Sequence, residues 1–314
     1  MEKVRSLVLV KIETTYGTDA SPSETTDAII TLGEPTFDIV ANAKERNVPL
    51  SYFGKIAPVI VGEALKLSFK VELKGSGTAG TPPKCGRLLR IANFTETINA
   101  GSSVSYALNS NLEGESATIY FWSGGTRHKL KGCVANIKIP LQAGELMTMD
   151  VEVTGLYDGT HYGDVTFPTP TFDNILPQPW DSAAFKLGSL TNLVISKLDI
   201  DLGNEIAKRT DANADNGISR YYIKDRTVKF SFDPEKEALT TFDPLTYHKN
   251  QTSFNIETKP AGSAGNTIEI VANGLVLDAP PKYGNRENVI VWDLSAVARP
   301  TLSSGNSELQ ITFK

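Results

Sequence analysis

Leu65-Lys66-Leu67-Ser68-Phe69-Lys70-Val71-Glu72-Leu73 decides the fold class. Leu67, Phe69, Val71 and Leu73 alternate with Lys66, Ser68, Lys70 and Glu72. A period of two sends one set of side chains to each face of a strand, one face dry and one wet, as in antiparallel sheet. This run has a distant counterpart. Phe37-Asp38-Ile39, a long polar loop and the strand at Leu65–Phe69 recur as Leu198-Asp199-Ile200, a long polar loop and Thr227-Val228-Lys229-Phe230-Ser231-Phe232. The spacing is 31 residues from Asp38 to Phe69 and 33 from Asp199 to Phe232. Val134-Ala135-Asn136 and Val271-Ala272-Asn273 read as a further matched pair. The expectation is a duplicated β unit, an arrangement suited to quasi-symmetric assembly rather than to one catalytic pocket.

Alternation continues elsewhere. Val104, Tyr106 and Leu108 form one face of a strand, as do Met147, Met149, Val151 and Val153, and Leu309, Ile311 and Phe313. Ser123-Gly124-Gly125-Thr126 reads as a hairpin turn, because Gly supplies positive φ, and Tyr283-Gly284-Asn285-Arg286 reads the same way. Helix is scarce. One short helix is expected from Pro82-Pro83 through Ile91, and another from Asp233 as N-cap with Pro234 at the first helical position. Each follows the Ser-Phe strand of its half. The resulting division is a first β domain at 1–158, a Pro-rich linker at 159–182 stiffened by Pro168, Pro170, Pro177 and Pro179, and a second β domain at 183–314. Two long loops, Ala41–Glu63 and Gly203–Arg220, fall at matching places in the two domains. Long loops in compact domains commonly serve function or are ordered by a partner.

The 314 residues suffice for two domains that each bury a core. Charged residues at 21% and hydrophobic residues at 40% describe a globular chain. No stretch reaches the roughly 18 apolar residues of a membrane span. The start, Met1 to Lys11, has too short an apolar core for a signal peptide and is expected to form an edge strand or an arm. Residues 183–314 carry 15 Lys and Arg against 16 Asp and Glu, a net of −1, so the rest of the chain holds −4 of the total −5. Neither part is basic, which argues against gripping nucleic acid through its phosphates. Cys85 and Cys133 fit a reducing compartment, with two free thiols favoured over a disulfide.

Motifs for chemistry are weak. Gly75-Ser76-Gly77-Thr78-Ala79-Gly80 spells the dinucleotide fingerprint, but the strand before it is polar on one face, and Pro82-Pro83 separate it from the helix. A flexible loop is expected. Asp211 to Gly217 resembles the start of an EF-hand, yet its Gly is one position late and Tyr222 stands where Glu is required, so an Asx-rich loop tip is expected. His128, His161 and His248 show no metal-ligand spacing, and no G-x-S-x-G elbow is present. No catalytic residue, cofactor or metal is expected. Trp122 and Trp292 lie in alternating strands, which suits a core or a subunit interface better than a sugar platform.

The run Leu67 to Pro83, continuing through Gly86-Arg87-Leu88-Leu89-Arg90 to Phe94-Thr95-Glu96-Thr97, resembles the major tail tube proteins of siphovirus-like bacteriophages, which have long non-contractile tails. Leu198 to Ile206 with Arg209 and Ile223-Lys224-Asp225-Arg226 resembles the same proteins. The resemblance extends from about Glu13 to Phe313. It implies an all-β fold of duplicated tube-like sandwich or half-barrel domains that close into a barrel on oligomerisation. It also implies stacked rings around a DNA conduit, with the tape measure protein and DNA passing through the lumen and with tail terminator and distal tail proteins at the ends. Sixfold or pseudo-sixfold family symmetry and two units per chain imply three chains per ring. The long loops would then touch the next ring through Val48, Tyr52, Phe53 and Ile56 in the first and Asn204, Arg209, Asp211 and Asp215 in the second. The location implied is the virion tail, after synthesis in the host cytoplasm. From the residues alone, an extracellular β-sandwich adhesion or carbohydrate-binding module and a β-rich hydrolase stay open.

Overall fold

The computed structural model describes residues 5–156, 162–191, 193–300 and 305–314. Strands take 51% of the described residues and helices 5%, so the fold is all-β. The first half runs β1 (Ser6–Ile12), β2 (Ala28–Ile29), β3 (Thr31–Lys44), β4 (Val59–Glu72), α1 (Gly86–Ile91), β5 (Phe94–Asn99), β6 (Ser103–Leu108), β7 (Ala117–Ser123), β8 (Thr126–Gln142), β9 (Thr148–Leu156) and β10 (Tyr162–Asp164). The second runs β11 (Lys186–Leu187), β12 (Lys197–Asp201), β13 (Asn204–Thr210), β14 (Ile218–Arg226), β15 (Lys229–Phe232), α2 (Pro244–Asn250), β16 (Phe254–Thr258), β17 (Ile268–Leu277), β18 (Lys282–Arg286), β19 (Val289–Ala298) and β20 (Leu309–Phe313).

The pairing scheme repeats. In the first half the order is β3-β4-β9-β8. In the second it is β12-β15-β19-β17. A second layer repeats too. β7 lies between β1 and β8, with β10 on the far edge of β8. Likewise β16 lies between β11 and β17, with β20 on the far edge of β17. Each short helix follows its Ser-Phe strand, as the sequence suggests. The match of Val134-Ala135-Asn136 with Val271-Ala272-Asn273 does not hold in space. Val134 lies opposite Thr154 of β9, whereas the β17 residue opposite Val297 of β19 is Val276.

Period two packs as expected. Leu67, Val71 and Leu73 are fully buried, as are Tyr106, Met147, Met149, Val153 and Ile311. Trp122 and Trp292 are core residues, and so is Trp180, whose indole N–H donates to Thr258 Oγ1 at 2.9 Å. Both cysteines are buried free thiols.

Five local expectations need correction. The Asp-Pro helix signature belongs to Asp243-Pro244, where the Asp243 carboxylate accepts from Leu245 N and Thr246 N. Asp233 is unavailable as a cap, since its carboxylate already accepts from Ser196 N and Lys197 N and pairs with Arg286. Tyr283–Arg286 is strand, and the turn falls one step later at Glu287-Asn288, both at positive φ. β1 is not an edge or an arm, because it lies between β2 and β7 with Leu7 to Val10 all buried. The Gly75 loop is closely packed. Gly75 N–H donates to Asn266 Oδ1 at 2.7 Å, and a Cβ on Gly75 would fall 2.1 Å from Gly265 O. Gly is needed there so that two backbones can touch. Finally, Gly203–Arg220 is mostly hairpin, β13 and β14, rather than loop.

The 1–158 boundary and His161 fall outside the described residues. The described part of the Pro-rich segment is tied down. Lys74 Nζ reaches Asp173 at 2.7 Å and Ile175 O at 2.9 Å, and Met147 N donates to Gln178 O at 2.9 Å.

Packing of this kind sets a test. Phe230 is fully buried, whereas Phe53 is fully exposed. Phe230→Ala should cost about 3–5 kcal/mol by denaturant unfolding, whereas Phe53→Ala should stay within about 0.5 kcal/mol.

Candidate assembly interface

The two halves meet strand to strand. Lys138–Gln142 of β8 pairs antiparallel with Lys197–Asp201 of β12, with Ile139 opposite Ile200 and Leu141 opposite Leu198. All four side chains are 1% exposed or less, since each strand covers the other's flank. The result is one eight-stranded antiparallel sheet, β3-β4-β9-β8-β12-β15-β19-β17, with β18 continuing β17 along β19. A second join pairs β20 with β6, where Tyr106 meets Phe313 edge to face at 5.7 Å.

Directly opposed residues share a face of a sheet, so one face of the eight strands is polar. It carries Lys66–Glu152 at 3.8 Å, Lys70–Asp150 at 3.3 Å, Lys138–Asp201 at 3.1 Å and Lys197–Asp199 at 2.7 Å. These pairs are largely exposed. They add little to stability, commonly 0–1 kcal/mol each. Their effect is to cancel the lysine charges that would otherwise attract phosphate.

The β13–β14 hairpin folds back over the first half. Ile218 and Tyr221 bury themselves with Ala64 and Val134. Tyr16 anchors this seat: its hydroxyl donates to Gly132 O at 3.1 Å and accepts from Tyr221 N at 2.7 Å, under the Arg220 guanidinium at 4.4 Å. Burial raises the Tyr16 phenol well above its ordinary value, so it stays a donor. Between this hairpin and the β3–β4 hairpin lies a cleft of about 540 Å³ lined by Val40, Asn42, Lys66, Asn136 and Tyr221.

The residues picked from sequence fall into three places. Val48, Tyr52, Phe53 and Ile56 share the loop at 45–58 beyond the β3–β4 hairpin, with Tyr52 69% and Phe53 107% exposed. Arg209, Asp211 and Asp215 gather at the tip of the β13–β14 hairpin, where Asp211 Oδ1 accepts from Asn213 N at 2.9 Å in an Asx turn. Asn204 is apart from both. It sits at the hairpin root, donating to Ala92 O at 3.1 Å and Ala135 O at 3.0 Å within the chain. Sequence reasoning passed over Tyr16, Ile218 and Tyr221, whose partners lie far along the chain. It also passed over the exposed edge residues Phe37, Ile39, Tyr283 and Ile290, because composition does not separate an open edge from an inner strand.

Chemistry has little to work with here. Among the described residues no group of three or more His, Cys, Asp and Glu could hold a metal ion. Burial pushes the Cys85 thiol up to about 12, which removes it as a nucleophile. No described helix is long and apolar enough to cross a membrane.

A model of the phage tail tube protein family matches residues 4–311. The chain belongs to the phage tail tube protein family. No curated protein matches it. As a member, the chain is a structural component of a phage tail, and its all-β fold agrees with that role.

One titration marks the β3 edge of this tail tube protein. His128 is buried, its ring 4.6 Å from Phe37 and 5.9 Å from Phe121. Desolvation lowers its pKa below the ordinary 6.5. The unfolded chain therefore takes up a proton first as pH falls through 6.5. Stability should be full above that point and decline below it. His128→Phe should flatten this part of the profile in denaturant titrations between about pH 7 and pH 5.

Proposed function

We propose that this chain polymerises into stacked rings that form the tube of a long, non-contractile phage tail, the conduit for DNA delivery. The observation that carries the reading is the eight-stranded sheet, polar on one face, built from two runs of the same strand order. Residues 1–158 and 183–314 serve as two tube-like units joined by the 159–182 segment, and three chains make a pseudo-sixfold ring. Each chain contributes both units to a barrel that closes between neighbours. The polar face lines the bore. Its lysines are held by carboxylates, and the net charge of −5 supplies no surplus of cations for DNA to hold. DNA and the tape measure protein pass through that lumen, and tail terminator and distal tail proteins close the ends. The chain is made in the host cytoplasm before incorporation into the virion.

The loop with Val48, Tyr52, Phe53 and Ile56 reaches the next ring, together with the hairpin tip carrying Arg209, Asp211 and Asp215. Large apolar side chains left in water on a loop point to a partner. Asn204 stands at the root of that hairpin and holds it in place.

Electron microscopy of purified protein tests the core of the reading. Regular rings or tubes are expected, and compact monomers at every concentration would exclude it. Replacing residues 45–58 by a short turn should give a folded protein that no longer makes tubes, and full-length tubes from that variant would remove the loop from the axial contact. The bore has its own test. Asp150→Asn with Glu152→Gln and Asp201→Asn frees lysines on the polar face. Duplex binding by fluorescence anisotropy should then appear at low salt and fade as salt rises, with parent protein showing none.

A further inference from the structure

The eight-stranded sheet ends on two strands whose outer edges have no strand alongside among the described residues, β3 at one end and β18 at the other. The chain itself shows what a covered edge looks like. Counted from the Ser-Phe strands, Phe37 lies opposite Leu67 as Ile200 lies opposite Phe230. Phe37-Asp38-Ile39 therefore matches Ile200-Asp201-Leu202, two residues on from the match read in the sequence, and Ile200 and Leu202 are each 1% exposed. Their counterparts Phe37 and Ile39 are 37% and 48% exposed. All four are large apolar side chains on the core side of the sheet. The difference lies in the neighbour: β12 has β8 beside it, and β3 has none.

The strand that β3 lacks is therefore the counterpart of β8. Within the repeat that counterpart is β17 followed by β18, which run along β19 as β8 runs along β9. The end of β8 that takes β12 corresponds to β18. This strand has the required two faces. Tyr283 lies on the core side, stacked on the buried Trp292 at 4.4 Å yet itself 62% exposed. Lys282 and Gly284 lie on the opposite, polar side, opposed to Asp293 and Val291 of β19. At the in-chain junction the polar side holds the Lys138–Asp201 pair at 3.1 Å. Lys282 and Asp38 offer the same charges at the two open edges.

We propose that β18 of one copy pairs antiparallel with β3 of a second copy, as β8 pairs with β12 within the chain. Tyr283 then covers Phe37 and Ile39 on the core side, and Lys282 comes beside Asp38 on the polar side. The partner is a second copy of this chain, and the inference rests on the assembly reading above. Because the two edges are unlike, the joint is head to tail and leaves no open edge only when a ring closes. The displaced hairpins agree with it. In the second half β13–β14 lies across the neighbouring unit of the same chain, while the distal β3–β4 hairpin, with Val59 and Ile60 49% and 52% exposed, has no such seat.

Paired cysteines test the joint in the full chain, whose two native thiols are buried. Asp38→Cys is combined in turn with Lys282→Cys, Gly284→Cys and Tyr283→Cys, and circular dichroism first establishes that each variant folds. After mild oxidation of assembled material, Lys282→Cys or Gly284→Cys should carry most of the protein into covalent multimers. The Tyr283→Cys combination, on the opposite face, should stay as single chains. Rings in the micrographs with single chains from all three combinations would overturn the edge pairing and leave assembly standing. Multimers only through Tyr283→Cys would overturn it as well. Absence of rings or tubes from unsubstituted protein would remove assembly, and the joint with it.

Discussion

The architecture depends on the length of one strand. β8 has 17 residues, three times an ordinary strand. Its first part pairs with β7 and β10, its middle with β9, and its end with β12. Two layers of the first half and one strand of the second are thereby bonded to a single backbone. Backbone hydrogen bonds buried between covered strands are costly to break, because each orphaned group loses its partner without gaining water. The join between halves is thus main-chain structure, reinforced by the β20–β6 ladder and by the touch of Gly75 on Gly265.

Much of this was legible in the residues. The period of two at Leu67–Leu73 and Leu309–Phe313 gave strands and their buried faces, because alternation is a local property. The Phe-Asp-Ile and Leu-Asp-Ile runs, each followed by a Ser-Phe strand, indicated two similar pairing orders, although the ladders match Phe37 to Ile200 rather than to Leu198. What was misread depended on neighbours distant in sequence. Asp233 carries a capping signature, but Arg286 and the amides of Ser196 and Lys197 compete for its carboxylate. Tyr283-Gly284-Asn285-Arg286 has turn composition, yet strand β19 holds it extended. Gly203–Arg220 was taken as loop, because the apolar residues that seat this hairpin, Ile218 and Tyr221, find partners such as Ala64 and Val134 far away in sequence. The candidate contact residues Val48, Tyr52, Phe53 and Ile56 were readable as apolar side chains in a polar stretch. Phe37 and Ile39 were not, since an edge strand and an inner strand have the same composition.

Charge on this molecule acts locally. The ion pairs on the polar face are exposed and contribute little to folding, so their placement matters for what the surface attracts. The buried ones behave differently. Lys74, half surrounded by Glu72, Asp173 and a backbone carbonyl, is held protonated above its ordinary range against the burial that opposes it. That cluster pins the Pro-rich segment to the end of β4, and so fixes the path along which the chain leaves one half for the other.

The open edges give the free chain a colloidal problem. A strand with unpaired amides and carbonyls accepts almost any other strand, and apolar neighbours such as Ile39, Val59, Ile60 and Val61 make the wrong partner as adhesive as the right one. Edge charges at Asp38, Lys44 and Lys282 discourage indiscriminate pairing without forbidding it. On the assembly proposed above, a solution of single chains is metastable with respect to two outcomes, ordered growth and amorphous clumping, whose rates rise with concentration in different ways. Supply of the protein, as much as its shape, decides which of them wins.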